Sequence, residues 1–421
     1  MLPVTSKIDC ETLSNGLTVL VQPMPWQRTA AFSLCLRGGV QSEPVPLGGL
    51  SGLVCEMVQR GAGSHSSREL VAIQDNLGID RNSGVSAALV SFGAAMPAES
   101  LQDAIQLQAD IVRRPHLPQD QLDDARMMSI QELRAMQDEP THRVMRRLRE
   151  LHYGDKLGRS IYGTGEGLEA ITQDDLRSFY EANYHAGGAI LAVAGKVDTS
   201  TVMKWATAAF GDWKTGPVAT LESPSGQATY EHIEFPSSQT HIGFAFESIP
   251  YGHVDYFKMR AGVGILSDGM SSRLFDRVRE QRGLCYTVTA SCHSLQHAGG
   301  VFGYAGTTPE RAQETLDVTL REIEHLIDDL EQGELERWQV RIQSSLIMEQ
   351  ESSASRASSL ASDYYQIGRV MTTEELESVI EALTLDQIRD YWMANPPGSY
   401  RIVTLGPDPL SIPSAHAGTA E

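Results

Sequence analysis

The feature that most constrains this chain is an internal repeat. The segment from Ile171 to Asn183 (ITQDDLRSFYEAN) returns from Leu383 to Asn395 (LTLDQIRDYWMAN), an offset of 212 residues (383 less 171) in a chain of 421. A similarity at half the chain length implies one supersecondary plan used twice. Both copies carry a Thr near their start that can act as an N-cap and continue with apolar residues at helical spacing. Each then enters an apolar strand-like run, Ala189 to Ala194 or Tyr400 to Leu405, that stops at Gly195 or Gly406. Long helical stretches precede each copy: 99–113 and 119–136 in the first half, 309–330 and 333–349 in the second. Strand-like alternation opens each half, at Leu17 to Gln22 and Thr240 to Phe246. Strands and helices are thus segregated, and the expected class is α+β: two homologous domains, each an antiparallel-rich sheet with helices packed on it.

Between Trp213 and Ala228 the composition turns to Gly, Pro, Ser and Thr, which marks an interdomain linker. The expected boundaries are 1–212 for the first domain, 213–230 for the linker and 231–406 for the second domain. The tail, 407–421, has little to bury and is expected to fray.

Charge narrows the function. Thirty-four basic against 54 acidic side chains give a net charge of −20, which argues against nucleic-acid binding and favours, at most, a basic peptide partner. No apolar run reaches the roughly 18 residues a membrane-spanning helix needs. The first residues show no secretory h-region, so a cytoplasmic location is expected. The five cysteines, Cys10, Cys35, Cys55, Cys285 and Cys292, make an odd count without C-x-x-C spacing, which fits reduced thiols in small core positions.

Two stretches carry chemistry. Leu36 to Glu43 (LRGGVQSE) leads into Gly48 to Gly63 (GGLSGLVCEMVQRGAG), a glycine entry to a short apolar helix. In the second half, Gly264 to Phe275 (GILSDGMSSRLF) precedes Val278 to Tyr286 (VREQRGLCY). Together these frames resemble the pitrilysin/insulinase-type zinc peptidases over nearly the whole chain, in a short two-domain form similar to mitochondrial processing peptidase subunits. The resemblance implies a clamshell of two α+β domains. It also implies an inverted zinc motif, His-x-x-Glu-His, whose histidines share one helix face while the Glu activates zinc-bound water.

This sequence departs from the motif at every essential position. The family frame aligns with Gly49 to Met57, so Gly52 stands at the first histidine, Cys55 at the general base and Glu56 at the second histidine. A glycine offers no donor. The family's third ligand, a glutamate roughly 76 residues further on, falls on Glu132, which is retained, whereas the supporting acidic position seven residues earlier is Ala125. Read without the family, Glu132 is one solvated helix carboxylate among many.

An unorthodox metal site from Cys55, Glu56 and Glu132 is disfavoured because adjacent helical residues point about 100° apart. Cys55 reads instead as a small buried residue on the core side of its helix. A cysteine hydrolase built on Cys285 with His293 or His297 lacks any sign that base and thiol converge. Those histidines have i, i+4 spacing, but the run 286–292 alternates as a strand and Gly299-Gly300 follows. Four strand residues span about 13 Å, too far for one metal ion.

The C-terminal signature is intact. The family pairs an Arg with a Tyr seven residues on, matched here by Arg279 and Tyr286, and uses them to bind substrate backbone and stabilise the oxyanion at a zinc site. Taken alone, that spacing is uninformative. In two-domain family members two chains enclose one chamber, and in some pairs one chain carries the zinc while the other carries the Arg/Tyr pair. The resemblance therefore implies a zinc-free subunit without a cofactor of its own, with a homologous zinc-carrying partner and a peptide substrate. The alternative reading is a degenerate homodimer or scaffold that holds peptides or organises an assembly without hydrolysis.

Overall fold

The computed structural model describes residues 7–218 and 229–412. Most of the expected linker, and the tail beyond 412, lie outside the described residues. The chain divides into two compact units, and neither is one continuous half. The first comprises 1–134, 159–221 and 347–370; the second comprises 135–158, 222–346 and 371–421.

The first unit is built on β1 (Asp9–Thr12), β2 (Thr18–Pro23), β3 (Thr29–Leu36), β4 (Asp80–Val85), β5 (Val90–Pro97) and β6 (Ile190–Gly195). Their order in the sheet is β1-β2-β6-β3-β5-β4, with β2 and β6 parallel and the other pairs antiparallel. The second unit holds β7 (Thr229–Glu234), β8 (Thr240–Ser248), β9 (Thr287–Ser294), β10 (Gly299–Thr307) and β11 (Arg401–Gly406), in the order β7-β11-β8-β10-β9. Here β7 and β11 are the parallel pair. Subtracting the repeat offset lays β7, β8, β9, β10 and β11 on β2, β3, β4, β5 and β6 in turn. Over these strands the two sheets therefore share one topology, and β1 has no counterpart among the described residues of the second unit.

The repeat itself folds as its sequence dictates. Thr172 and Thr384 each cap a helix, Gln173–Asn183 and Leu385–Ala394, and each closes a capping box with the residue three on, Asp175 or Gln387. Two orphan donors of the first turn are satisfied at each site. The strands that follow, β6 and β11, are buried at every residue, so side chains on both faces of each sheet need cover. The helix predicted over 309–330 ends at Glu324, and its neighbour runs from Gln332 to Gln350.

That two-sided burial explains why the units are not the expected contiguous halves. Against β3 and β6 packs the helix Ser353–Ile367, whose Ala357 and Ala361 meet Ala31, Ala192 and Ala194 in one buried cluster. Against β8 and β11 packs the helix Pro140–Leu157, which places Val144 and Leu148 over Gly243. A Cβ at Gly243 would lie 2.5 Å from Val144, so glycine is what lets the helix come this close. Each sheet thus takes the cover of its second face from the other half of the sequence. At the C-terminal end, Leu410 and Ile412 pack on the core of the second unit, and the Leu410 N–H donates to the Tyr230 hydroxyl at 2.7 Å. The expected frayed tail is therefore docked at its start.

Candidate functional site

The helix Leu50–Met57 positions the degenerate motif. Leu50, Leu53, Val54 and Met57 are buried in the core of the first unit, and each such side chain contributes about 1.5–3 kcal/mol on leaving water. Gly49 enters the helix at φ +104°. The first-turn N–H groups find a carboxylate instead of a side-chain cap, since Glu43 accepts from Gly49 N at 3.1 Å and Ser51 N at 2.8 Å. Arg159 donates to the Glu43 carbonyl at 2.8 Å. Burial pushes the Glu43 carboxyl up to about 7, against the pull of those two N–H groups and of Arg159. Sequence reasoning assigned Glu43 no role, because a capping carboxylate seven residues before its helix follows no local pattern.

A cleft of about 660 Å³ opens beside this helix. Gly52, Cys55, Glu56, Ala125 and Glu132 all line it, so the aligned positions do share one concavity. At Gly52 a Cβ would meet only the Ile161 carbonyl at 3.7 Å, so the place where the family carries its first histidine is open space. Glu56 lies one turn on, and Arg60 Nε and Nη2 each stand 3.0 Å from its Oε1. Cys55 is buried at 5% exposure, and desolvation raises its thiol to about 12. This agrees with a core residue. Ala125 is fully buried, while Glu132 is exposed on the helix Leu122–Asp138. The strand β4 lies at the sheet edge with exposed residues and contributes Ser83, Gly84 and Val85 to the wall.

Zinc does not fit these residues. One position has no side chain, one carboxylate is held by an arginine, and the thiol would have to ionise out of the core. Among the described residues no group of three or more His, Cys, Asp or Glu side chains could hold a metal ion.

Arg279 and Tyr286 lie in the second unit. Arg279 lies one residue before the end of a π-helical segment, Leu274–Glu280, with its guanidinium 4.5 Å from the centroid of the Phe275 ring. The chain turns back through Gly283 at φ +61°, whose N–H donates to the Arg279 carbonyl at 2.9 Å. Tyr286 N donates to Gly306 O at 3.0 Å as the chain enters β9, which leaves the phenol 68% exposed. Behind the segment sits Arg273, 3% exposed, whose guanidinium donates to both Glu334 carboxylate oxygens at 2.7 Å, to Asp329 Oδ1 at 2.6 Å and to the Leu326 and Asp329 carbonyls. The signature run around Met270 and Arg273 is thus in part a structural clamp.

The other two candidates separate as expected. His293 is in β9 and His297 is in the turn after it. The His293 Nδ1 stands 2.8 Å from the Tyr153 hydroxyl, which marks it as part of the packing of the Pro140–Leu157 helix. Cys285 is buried, and desolvation raises its thiol to about 11.

Fold and cleft together define a duplicated α+β protein with a peptidase-like cleft whose metal donors have been lost. The family model described as Insulinase (Peptidase family M16) matches residues 18–165, and the model described as Peptidase M16 inactive domain matches residues 170–339. The chain belongs to the pitrilysin/insulinase (M16) peptidase family, in its two-domain form and without the zinc motif. An uncharacterized zinc protease of Rickettsia felis is 26% identical over 379 residues, 89% of this chain and 92% of that protein. The mitochondrial-processing peptidase subunit beta of Lentinula edodes is 23% identical, covering 90% of this chain and 86% of that one. In fold, the chain matches the crystal structure of a peptidase M16 inactive domain from Pseudomonas fluorescens with a TM-score of 0.88 at 22% identity, over 97% of this chain and 99% of that one.

Proposed function

We propose that this chain is the zinc-free subunit of a two-chain metallopeptidase, and that it supplies Arg279 and Tyr286 to the zinc site of a homologous partner that cuts peptides. The observation that carries the reading is a contrast between the two sites. The motif positions line one cleft but offer no usable donor set, whereas Arg279 and Tyr286 flank a braced segment with their polar groups accessible. A guanidinium and a phenol held this way suit the developing negative charge of a tetrahedral intermediate. The name of the Lentinula edodes relative, a subunit of a processing peptidase, supports a role of this kind. Among the described residues no helix is long and apolar enough to cross a membrane, and a cytoplasmic setting is part of the proposal.

The test is reconstitution. The pure chain should show no chelator-sensitive peptidase activity. Mixed with a family member that has an intact His-x-x-Glu-His, it should raise activity, and Arg279→Ala or Tyr286→Phe should lower the rate of the pair by about 10²-fold or more. Robust activity in the pure chain, or indifference of the pair to both substitutions, overturns the proposal. A second reading, a non-hydrolytic peptide holder, is favoured by the unpaired edge of β4 beside the cleft, where an extended peptide can add as a strand. Peptide binding without activation of any zinc-bearing relative would select it.

A further inference from the structure

The second unit has a cleft of its own, of about 490 Å³, at the place where the repeat offset puts the first one. Adding 212 to Gly52, Glu56, Ala125 and Ser129 gives Gly264, Asp268, Arg337 and Arg341, and all four line this second cleft. The duplication has kept the concavity and its glycine and has inverted the polarity of one wall. Where the first cleft carries an alanine and a serine, the second carries two arginines one helical turn apart on the Gln332–Gln350 helix.

Of the acidic groups around them, two are ion-paired and the third is hydrogen-bonded to a neutral amide. Asp268 Oδ2 is 2.7 Å from Arg260 Nη1, Glu334 is clamped by Arg273, and Glu336 accepts from Gln332 at 3.1 Å. Arg337 and Arg341 have no ion pair among the described residues. Between them in sequence is Trp338, which lines the same cleft, is 3% exposed, and has an indole N–H without a hydrogen-bond partner. That N–H occupies the space left by Gly264, 2.0 Å from where a Cβ would stand. A buried donor left without an acceptor is unfavourable until one arrives.

We propose that this cleft binds a carboxylate of a peptide, with Arg337 and Arg341 supplying charge and the Trp338 N–H, a donor without an acceptor in the cleft wall, closing on the bound group. In a chain of net charge −20 the two guanidinia without an ion pair are a local source of positive charge, and a planar carboxylate suits both the fork of an arginine and a single indole donor. The cleft's size is that of a site for a few residues, not for a whole protein surface. The site does not depend on the role proposed for Arg279 and Tyr286.

The experiment follows the Trp338 indole resonance in ¹⁵N-labelled full-length chain, assigned by its loss in Trp338→Phe. Four probes are titrated: N-acetyl-trialanine with a free carboxylate, its C-terminal amide, an N-acetyl glutamate α-amide, and inorganic phosphate. The expected result is a saturable shift with the free carboxylate that weakens at least tenfold in the amide and at least tenfold in Arg337→Gln/Arg341→Gln. The glutamate probe tells whether a side-chain carboxylate serves as well as a terminal one, and saturation by either supports the site. No saturable shift with either carboxylate overturns the proposal, as does phosphate binding more tightly than both. An unchanged affinity in the double arginine variant, with its fold confirmed by an unaltered amide spectrum elsewhere, overturns it too.

Discussion

Arg60 closes on Glu56 from one helical turn away, with Nε and Nη2 both 3.0 Å from the same carboxylate oxygen. The residue that stands at the second zinc ligand of the family is therefore occupied by a neighbour in the turn that follows its helix. This i, i+4 pair is half-exposed and contributes only about 0.3–0.5 kcal/mol to stability, but a metal ion would have to displace it.

Restoring the donors should restore the metal. Gly52→His/Glu56→His leaves Cys55 in the core and joins two imidazoles to Glu132 across the same cleft, with open space at Gly52 to receive the first. After dialysis against zinc and then metal-free buffer, elemental mass spectrometry should find near zero in the natural chain and about one zinc per chain in the variant. Adding Cys55→Glu supplies the family's base, at the cost of a carboxylate in a 5% exposed position. A folded double variant that holds no zinc would mean the three positions do not converge.

The Arg/Tyr segment should separate stability from function. Arg273 is a buried guanidinium with five hydrogen bonds, so Arg273→Ala strands Glu334 and should cost about 3–5 kcal/mol in urea unfolding. Arg279→Ala and Tyr286→Phe touch exposed groups and should stay within about 0.5 kcal/mol. Equal destabilisation by all three would make the pair structural.

How much of this was legible depends on the range of the signal. The caps at Thr172 and Thr384 and the buried strands after them are local patterns, and the repeat doubled their weight. The convergence of Gly52, Cys55, Glu56 and Glu132 came from the family frame, since no periodicity links a helix at 50 to one at 132. The exchange of Pro140–Leu157 and Ser353–Ile367 was not legible, because an amphipathic helix states that one face is buried and not which sheet buries it. Glu43 and Arg273 were missed for the related reason that each acts on backbone groups distant in sequence or outside any motif.

Stability should fall in acid through His152 on the Pro140–Leu157 helix and His293 packed against it. Burial lowers His152 to about 4, helped by Arg401, and lowers His293 to about 4, helped by Arg149 and His152. A depressed histidine binds fewer protons folded than unfolded, so its contribution is complete above the unfolded value near 6.5 and is lost as pH falls towards 4. At about 1.4 kcal/mol per pH unit, each can remove up to about 3 kcal/mol. Glu43 runs the other way, since its raised value makes the folded state bind the extra proton between 4.5 and about 7. Urea midpoints between pH 4 and 7 should therefore drop less steeply in His293→Gln than in the natural chain. They should drop more steeply in Glu43→Gln, which removes the opposing carboxyl.

Thiol chemistry gives the sharpest contrast with a cysteine hydrolase. Cys10 is exposed, whereas Cys35, Cys55 and Cys285 are buried and Cys292 is partly so. Desolvation raises Cys55 and Cys292 to about 12 and Cys285 to about 11, and the nucleophile is the thiolate. Under native conditions at pH 8, a thiol-reactive probe should therefore label Cys10 alone among the five, with the others reacting at the rate of unfolding. Cys10→Ser should abolish the fast phase, and full alkylation of Cys10 should leave the activity of a reconstituted pair unchanged. Fast labelling of Cys285 in the folded chain would return it to consideration as a nucleophile.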